Sequence, residues 1–325
     1  HRLKHKRYKT EAYYNRTELY NKLREIEPDI VQTFAVESII MWQTVNIKKK
    51  LGFKLFSANH VLRSVFPLAD QWESINPIKR LAWNLKHKRS GRVLSKHVEL
   101  YFYQTLDAEE IAVTYFGADP TKSKIDPLGV DTDHFKPQEM VNDALRTKFG
   151  FTENDWVCIY TGRLSKGKSP LVLAKAIDLL AKDHPEIKGL FIGNGEQEEE
   201  IKKLRNCITH PFVKFPELPD YYNLAKIGVW PKEESTSMLD AMACGLPLII
   251  SNTVTATERV EGNGLTYIEN DHTDLAKQIV KLKNSGTQFK EMSRIGIQKI
   301  MDKYSWEAIA RQREKDYLKA LDNEV

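Results

Sequence analysis

Two hydrophobic periods alternate along the second half of the chain. Short apolar runs at residues 157–160, 189–192, 213–215, 227–230 and 248–250 read as strands. Between them, apolar residues recur every three or four positions, and residues 170–182, 197–204 and 220–225 read as helices. A further helix begins at Ser235, Thr236 and Ser237, which are N-cap candidates, and ends at Gly245. Strand–helix alternation of this kind predicts a parallel sheet covered on both faces. Residues 275–285 and 289–304 read as late helices, and Ser305 caps a last one running to Leu321.

The first half is less regular. Leu19, Leu23 and Ile26 stand at helical spacing, and residues 28–34 read as a strand after a turn. Residues 38–50 form an amphipathic helix stopped by Gly52, and residues 53–57 the next strand, which runs out at Asn59-His60. Residues 62–100 are helical in pattern, with Trp72, Trp83 and Leu85 as apolar anchors among lysines and arginines. A strand at 98–103, a helix at 106–115, a short strand at Lys124-Ile125 and a turn at 127–131 complete it. Lys136-Pro137 followed by polar residues marks the domain boundary. The expected division is 1–137, 138–303, and a terminal helix 304–325 crossing back to the first domain.

The chain has 325 residues, 41% hydrophobic and 29% charged, as in a folded globular protein of two domains. No apolar run reaches the ~20 residues of a membrane-spanning helix. The basic start HRLKHKRYKT lacks the apolar core of a signal peptide, and His1 in place of Met is what a fragment or a processed chain would show. Cys158, Cys207 and Cys244 are widely spaced, without metal-ligand spacing, and fit a reducing cytoplasm. The net charge of +5 is concentrated in the first ten residues and in residues 79–96. That asymmetry points to anionic lipid head groups or anionic substrates.

Three loops carry candidate chemistry. TGRLSKGKSP, residues 161–170, follows a strand and opens a helix, so Gly162, Arg163 and Lys168 come to a strand's C-terminal edge, where open α/β sheets bind ligands. It is not a P-loop, because the glycine and lysine spacing is wrong. Arg163 would grip a diphosphate as a fork and Lys168 as a point charge. Gly193-Asn194-Gly195 sits at the next strand end. With Glu198 where a third glycine would stand it is no dinucleotide fingerprint, and it is either a plain turn or a close approach of backbone to phosphate or sugar. The third loop leads into the helix at Ser235–Ser237, whose N-terminus can seat a phosphate, with Asp240 one turn further in to accept from a sugar's vicinal hydroxyls.

The series GRLSKGK, GNG, residues 215–222, WPKEESTSMLDAMACGLPLIIS and Gly262-Asn263-Gly264-Leu265 resembles the retaining family-4 glycosyltransferases of the GT-B fold (glycosyl transferases group 1). Residues 127–135, PLGVDTDHF, look like the turn before the second domain of these enzymes, and Tyr304-Ser305-Trp306 like the start of their final helices. The likeness covers residues 98–320 well and the first hundred loosely. It implies two Rossmann-like α/β domains with parallel sheets about a central cleft, the C-terminal one for a nucleotide-sugar donor and the N-terminal one for the acceptor. The N-terminal domain looks short of its first strand and of the usual glycine-rich loop. Arg163 and Lys168 match the pair that holds the donor diphosphate, and Asp240 the second acid of the paired-glutamate motif. Lys232 stands where the first acid belongs, so either Glu233 or Glu234 takes that role, Glu234 being preferred, or the role is vacant. His60 matches a cleft-facing histidine or is an ordinary turn histidine. No metal or other cofactor is implied, since protein cations and a helix dipole neutralise the leaving diphosphate.

The resulting expectation is a retaining hexosyltransferase acting on a glycan or lipid-linked acceptor, cytoplasmic and peripheral at the inner face of the membrane, in cell-surface polysaccharide or glycolipid biosynthesis. A non-catalytic nucleotide-sugar-binding subunit and a GT-B nucleotide-sugar epimerase are the alternatives. Free epimer, or the absence of any donor turnover, discriminates them. Trp72 and Trp83, interleaved with Lys79, Arg80, Lys86, Lys88 and Arg89, are expected at an anionic membrane surface, with a solvated helix face as the plainer reading.

Overall fold

The computed structural model describes residues 15–59, 61, 66, 68–69, 71–140, 142–232, 234–254 and 257–322. The chain divides into two compact units, residues 1–127 with 310–325, and residues 128–309.

The first unit contains α1 (Arg16–Ile26), β1 (Ile30–Phe34), α2 (Ile39–Leu51), β2 (Lys54–Asn59), α3 (Pro77–Trp83), α4 (Arg89–Ser95), β3 (Leu100–Tyr103), α5 (Leu106–Phe116) and β4 (Ser123–Ile125). A π-helical turn, Asn84–Lys88, joins α3 to α4. Local chemistry fixes the helix ends. The hydroxyl of Ser38 accepts from the Met41 N–H and that of Thr105 from the Ala108 N–H, while Gly52 and Gly117 end α2 and α5 in the left-handed conformation. The four strands are parallel and stand in chain order, β1-β2-β3-β4. One sheet face packs Leu55, Tyr101 and Tyr103 against Met41, Val45, Leu94 and Ala108. The other presents Phe56, Ala58 and Phe102.

The second unit contains α6 (Asp143–Lys148), β5 (Trp156–Thr161), α7 (Pro170–Leu180), β6 (Ile187–Ile192), α8 (Glu198–Ile201), β7 (Cys207–His210), α9 (Leu218–Leu224), β8 (Ile227–Trp230), α10 (Ser237–Ala243), β9 (Leu248–Ser251), β10 (Gly264–Tyr267), α11 (His272–Lys283) and α12 (Thr287–Lys299). α13 (Trp306–Asp322) starts in this unit and ends in the first. The six strands are all parallel, in the order β10-β9-β8-β5-β6-β7. That is the doubly wound arrangement, with the strand order reversing between β5 and β8. Apolar runs fully buried on both faces, such as Leu248–Ile250 of β9, are what such a sheet demands.

Two expectations need correction. The strand placed at residues 213–215 lies earlier, at Cys207–His210, where Cys207 to His210 register against Gly189 to Ile192. Pro216 has no N–H for a ladder, and Phe215 instead opens a 3-10 turn, Phe215–Glu217. The second unit also begins at Leu128 rather than after Lys136-Pro137. Val130 and Phe135 are buried in its core, and the Val130 N–H donates to the Tyr304 carbonyl at 2.8 Å. Proline and polar composition mark a turn at 136–137, but the apolar pair before it decides which core that segment joins.

Candidate functional site

The candidate residues gather where the strand order reverses. β5 ends at Thr161, and the loop that follows carries exposed Gly162 and Arg163 and half-buried Lys168. The loop folds back on itself, with the Lys168 and Ser169 N–H groups both donating to the Ser165 carbonyl, at 3.0 and 2.9 Å. The Tyr160 hydroxyl donates to the Arg163 carbonyl at 2.9 Å. β8 ends at Trp230, and its loop carries Lys232, Glu234 and Ser235 into α10. The two loops touch: Lys168 Nζ donates to the Glu234 carbonyl at 3.2 Å.

Side chains beneath the loops hold the junction rigid. Trp230 Nε1 donates to the Thr161 carbonyl at 3.2 Å and to Ser237 Oγ at 3.1 Å. Ser235 Oγ and Ser237 Oγ are 2.6 Å apart, and Thr161 Oγ1 is 2.8 Å from the Tyr222 hydroxyl. Ser235 supplies the cap of α10, accepting from the Ser237 N–H at 3.3 Å. Thr236, the N-cap by backbone position, makes no side-chain cap bond. Of the three N-cap candidates, then, Ser235 caps, Ser237 faces the Trp230 network, and Thr236 is exposed.

Gly193, Asn194 and Gly195 at the end of β6 serve the same loop. A Cβ on Gly193 would stand 1.9 Å from the Gly162 carbonyl oxygen, and one on Gly195 2.4 Å from that of Leu164. The two loops run backbone against backbone, with the Leu164 N–H donating to the Asn194 carbonyl at 3.0 Å. The close approach the glycines permit here is to Gly162 and Leu164. Asn194 Oδ1 accepts from the Phe212 N–H at 3.2 Å.

Asp240 sits on α10, mostly buried. Burial pushes its carboxyl up to about 7, and the neighbouring His134 opposes that shift. His134 is itself placed by a turn: Asp131 Oδ1 accepts from the Asp133 and His134 N–H groups at 3.1 Å. Its ring stacks on Phe215 at 5.0 Å, with Nε2 3.0 Å from the Phe215 carbonyl oxygen and therefore its donor.

Arg259 has no counterpart in the sequence reading. It is buried, and NH2 lies 3.5 Å from the Glu234 carboxylate while NH1 donates to the Ser235 carbonyl at 3.2 Å. Lys168 and Arg259 thus fix the two consecutive carbonyls of the loop before α10. The turn bearing Arg259 is secured by buried Asn263, whose Nδ2 donates to the Arg259 carbonyl at 2.7 Å. Lys299 of α12 donates to the carbonyls of Glu258 and Glu261 and to Asn263 Oδ1, at 2.6, 2.7 and 2.6 Å. Asn263 belongs to the Gly262–Leu265 motif, so that motif acts on the site through Arg259. His60 and Glu233 lie outside the described residues. Among the described residues no group of three or more His, Cys, Asp or Glu side chains is placed to hold a metal ion.

Residues 155–285 match the family model described as glycosyl transferases group 1. This segment is a glycosyl transferases group 1 domain. It spans β5 to α11 and contains all three ligand-type loops. Spore coat protein SA of Bacillus subtilis is 23% identical over 74% of this chain and 76% of its own length. A GDP-mannose-dependent phosphatidylinositol monomannoside mannosyltransferase of Corynebacterium glutamicum is 26% identical over 69% of this chain and 63% of its own. A D-inositol 3-phosphate glycosyltransferase of Pseudarthrobacter chlorophenolicus is 31% identical over 49% of this chain and 40% of its own. For the latter two relatives, the chain therefore spans less than two thirds of their length. In fold the chain is similar to a glycosyltransferase of Rickettsia africae, with a TM-score of 0.71 over 95% of this chain and 81% of that one at 16% identity. It is also similar to Anabaena HepE crystallised with UDP, with a TM-score of 0.68 over 92% and 80% at 17% identity. Two parallel-sheet α/β units with this likeness are the GT-B fold.

Proposed function

We propose that the chain is a glycosyltransferase that moves a hexose from a nucleotide-sugar donor to a glycan or lipid-linked acceptor with retention of anomeric configuration. Its place is cell-surface polysaccharide or glycolipid biosynthesis, and a lipid-linked acceptor would bring it to the inner face of a membrane. The observation that carries the reading is the meeting of Lys168 with the Glu234–Ser235 loop at the reversal of strand order, the place where doubly wound sheets bind nucleotides.

In this reading Arg163 and Lys168 bind the donor diphosphate and take up charge as the anomeric C–O bond breaks. The acceptor hydroxyl oxygen forms the new bond on the same face, and its proton passes to the departing phosphate oxygen. Asp240 accepts from the ribose hydroxyls in its ionised form. Glu234, steadied by Arg259, contacts the transferring sugar. The positive charge comes from side chains, with no resident metal. The relatives that act on GDP-mannose or bind UDP support a nucleotide-sugar donor and leave its base open.

A thermal-shift series with UDP, GDP, UDP-glucose and GDP-mannose tests the donor assignment. A ligand at a hundred times its dissociation constant adds about 2.7 kcal/mol of stability. Arg163→Ala and Lys168→Ala should each weaken the active nucleotide on the order of 10- to 100-fold, the worth of a charge-assisted contact. No shift of the unsubstituted protein by any of the four, or unchanged affinity in both variants, rejects the site.

A further inference from the structure

The helix running through α3, the π-helical turn and α4 packs one face on its own unit and leaves an apolar stripe exposed. Inward, Trp83 packs on Phe66 and Trp72 and donates from Nε1 to the Tyr115 carbonyl at 3.0 Å, and Leu94 is fully buried. The two tryptophans expected at a membrane surface are therefore committed to their own unit. Outward, Ile78, Leu81, Leu85 and Val93 are 76, 59, 57 and 41% exposed. They form one stripe: Ile78, Leu81 and Leu85 follow at helical spacing, and the wider π turn brings Val93 into line with Leu85.

The charges along this helix are of one sign. Between Pro77 and Val98 the sequence holds Lys79, Arg80, Lys86, Lys88, Arg89, Arg92 and Lys96 and neither Asp nor Glu. Among the described residues, Glu73 pairs with Arg80 at 3.4 Å and Glu37 with His87 at 2.9 Å. Lys88, Arg92 and Lys96, one turn apart, line a cleft of about 490 Å³ with Ser95, Gly117 and Asp119. The Asp119 carboxylate is occupied by the Thr121 N–H and hydroxyl at 3.0 and 2.7 Å. The cations crowd one another: burial and Arg92 lower the pKa of Lys88. Trp42, 37% exposed, borders the helix and donates from its indole to Ser90 Oγ at 2.8 Å.

We propose that residues 77–96 are a docking helix for an anionic membrane: Ile78, Leu81, Leu85 and Val93 enter the boundary between head groups and acyl chains, while Lys88, Arg92 and Lys96 hold lipid phosphates in the cleft. An exposed apolar stripe flanked by cations is the pattern of a helix lying in the membrane interface. A nucleic acid would use the cations but leave the four apolar side chains in water. The proposal deepens the lipid-linked side of the proposed function, yet it stands on this surface alone and does not require sugar transfer.

The test is co-sedimentation of the full chain with vesicles of phosphatidylcholine alone or with a quarter phosphatidylglycerol. Binding is expected to the anionic vesicles at low salt, at least 10-fold weaker to phosphatidylcholine alone. Leu81→Ser with Leu85→Ser, and separately Arg92→Gln with Lys96→Gln, should each reduce it on the order of 10-fold. Both variants should keep the melting temperature and the nucleotide-induced shift of the parent, so that loss of docking is separable from loss of the donor site. No binding to anionic vesicles at low salt overturns the proposal. So does binding untouched by the leucine changes, or a homopolymeric RNA bound as tightly as the vesicles by parent and leucine variant alike.

Discussion

Asp240 holds its proton longer in the folded chain than in the unfolded one, because burial raises its carboxyl from 3.8 to about 7. The sign follows directly. Below about pH 4 both states are protonated and the group has no effect; between there and pH 7 only the unfolded chain ionises, so folding stability falls as pH rises. The limit is about 1.4 kcal/mol per pH unit in that window. Asp240→Asn should therefore match the parent at pH 4 and exceed it in urea unfolding at pH 8, while binding nucleotide more weakly. If the Asn variant is instead the less stable at pH 8, Asp240 is a structural acceptor and the ribose role is lost. Arg259 gives a second test at this scale. Removing it takes one cation from the Glu234 carboxylate and the Ser235 carbonyl, which should cost about 1.5–3 kcal/mol, with Arg259→Lys partly restoring stability and turnover. Arg163, Lys168 and Asp240 could be picked out from the sequence because each follows a strand or starts a helix at a recognisable distance. Arg259 and His134 could not, since what makes them part of the site is a contact across many residues of chain, with Ser235 and with Phe215.

The elements of the second unit were readable for a physical reason: the inner strands are buried on both faces over most of their length and so are written as unbroken apolar runs, as in Leu248–Ile250. β7 and β10 escaped that reading. β7 is only partly buried and polar in composition, Cys-Ile-Thr-His, and β10 is an edge strand, so neither carries the run that marks its neighbours. The glycines between elements were found by sequence, but their partner was not, because backbone against backbone leaves no trace in side-chain pattern. Gly193 and Gly150 separate the two reasons for a glycine. Both have positive φ, 142° and 66°, but only Gly193 has a carbonyl where a Cβ would go; nothing lies within 4 Å of one on Gly150. Gly150→Ala should cost about 1 kcal/mol for its backbone conformation. Gly193→Ala should cost more than ~3 kcal/mol in the same urea titration and also displace Gly162, weakening nucleotide binding. Equal costs at the two positions would mean that the loops are not held as tightly as their hydrogen bonds indicate.

At the scale of the whole chain the two units are not equivalent in connectivity. The second is one continuous stretch, residues 128–309, whereas the first is completed only by residues 310–325. That last segment covers the second face of the first unit's sheet. Tyr317 packs edge-on against Phe56 at 4.7 Å, and its hydroxyl bonds Gln32 Oε1. Asp316 accepts from Lys124, and Arg313 pairs with Asp126 and lies over the Phe102 ring at 4.7 Å. Phe56 and Phe102 are almost fully buried in its presence. Ending the chain at Ile309 would return two phenylalanine faces to water and leave Lys124 and Asp126 without these partners, a loss of several kcal/mol by apolar transfer alone. The shortened chain should then melt in two steps. The lower one belongs to the first unit, and the upper one stays at the temperature shown by residues 128–309 expressed alone and still shifts with nucleotide. A single transition at the parent's temperature would show that α13 is dispensable to the first unit. A chain that fails to fold at all, while residues 128–309 do fold, would place the first unit's stability below the threshold without its last helix.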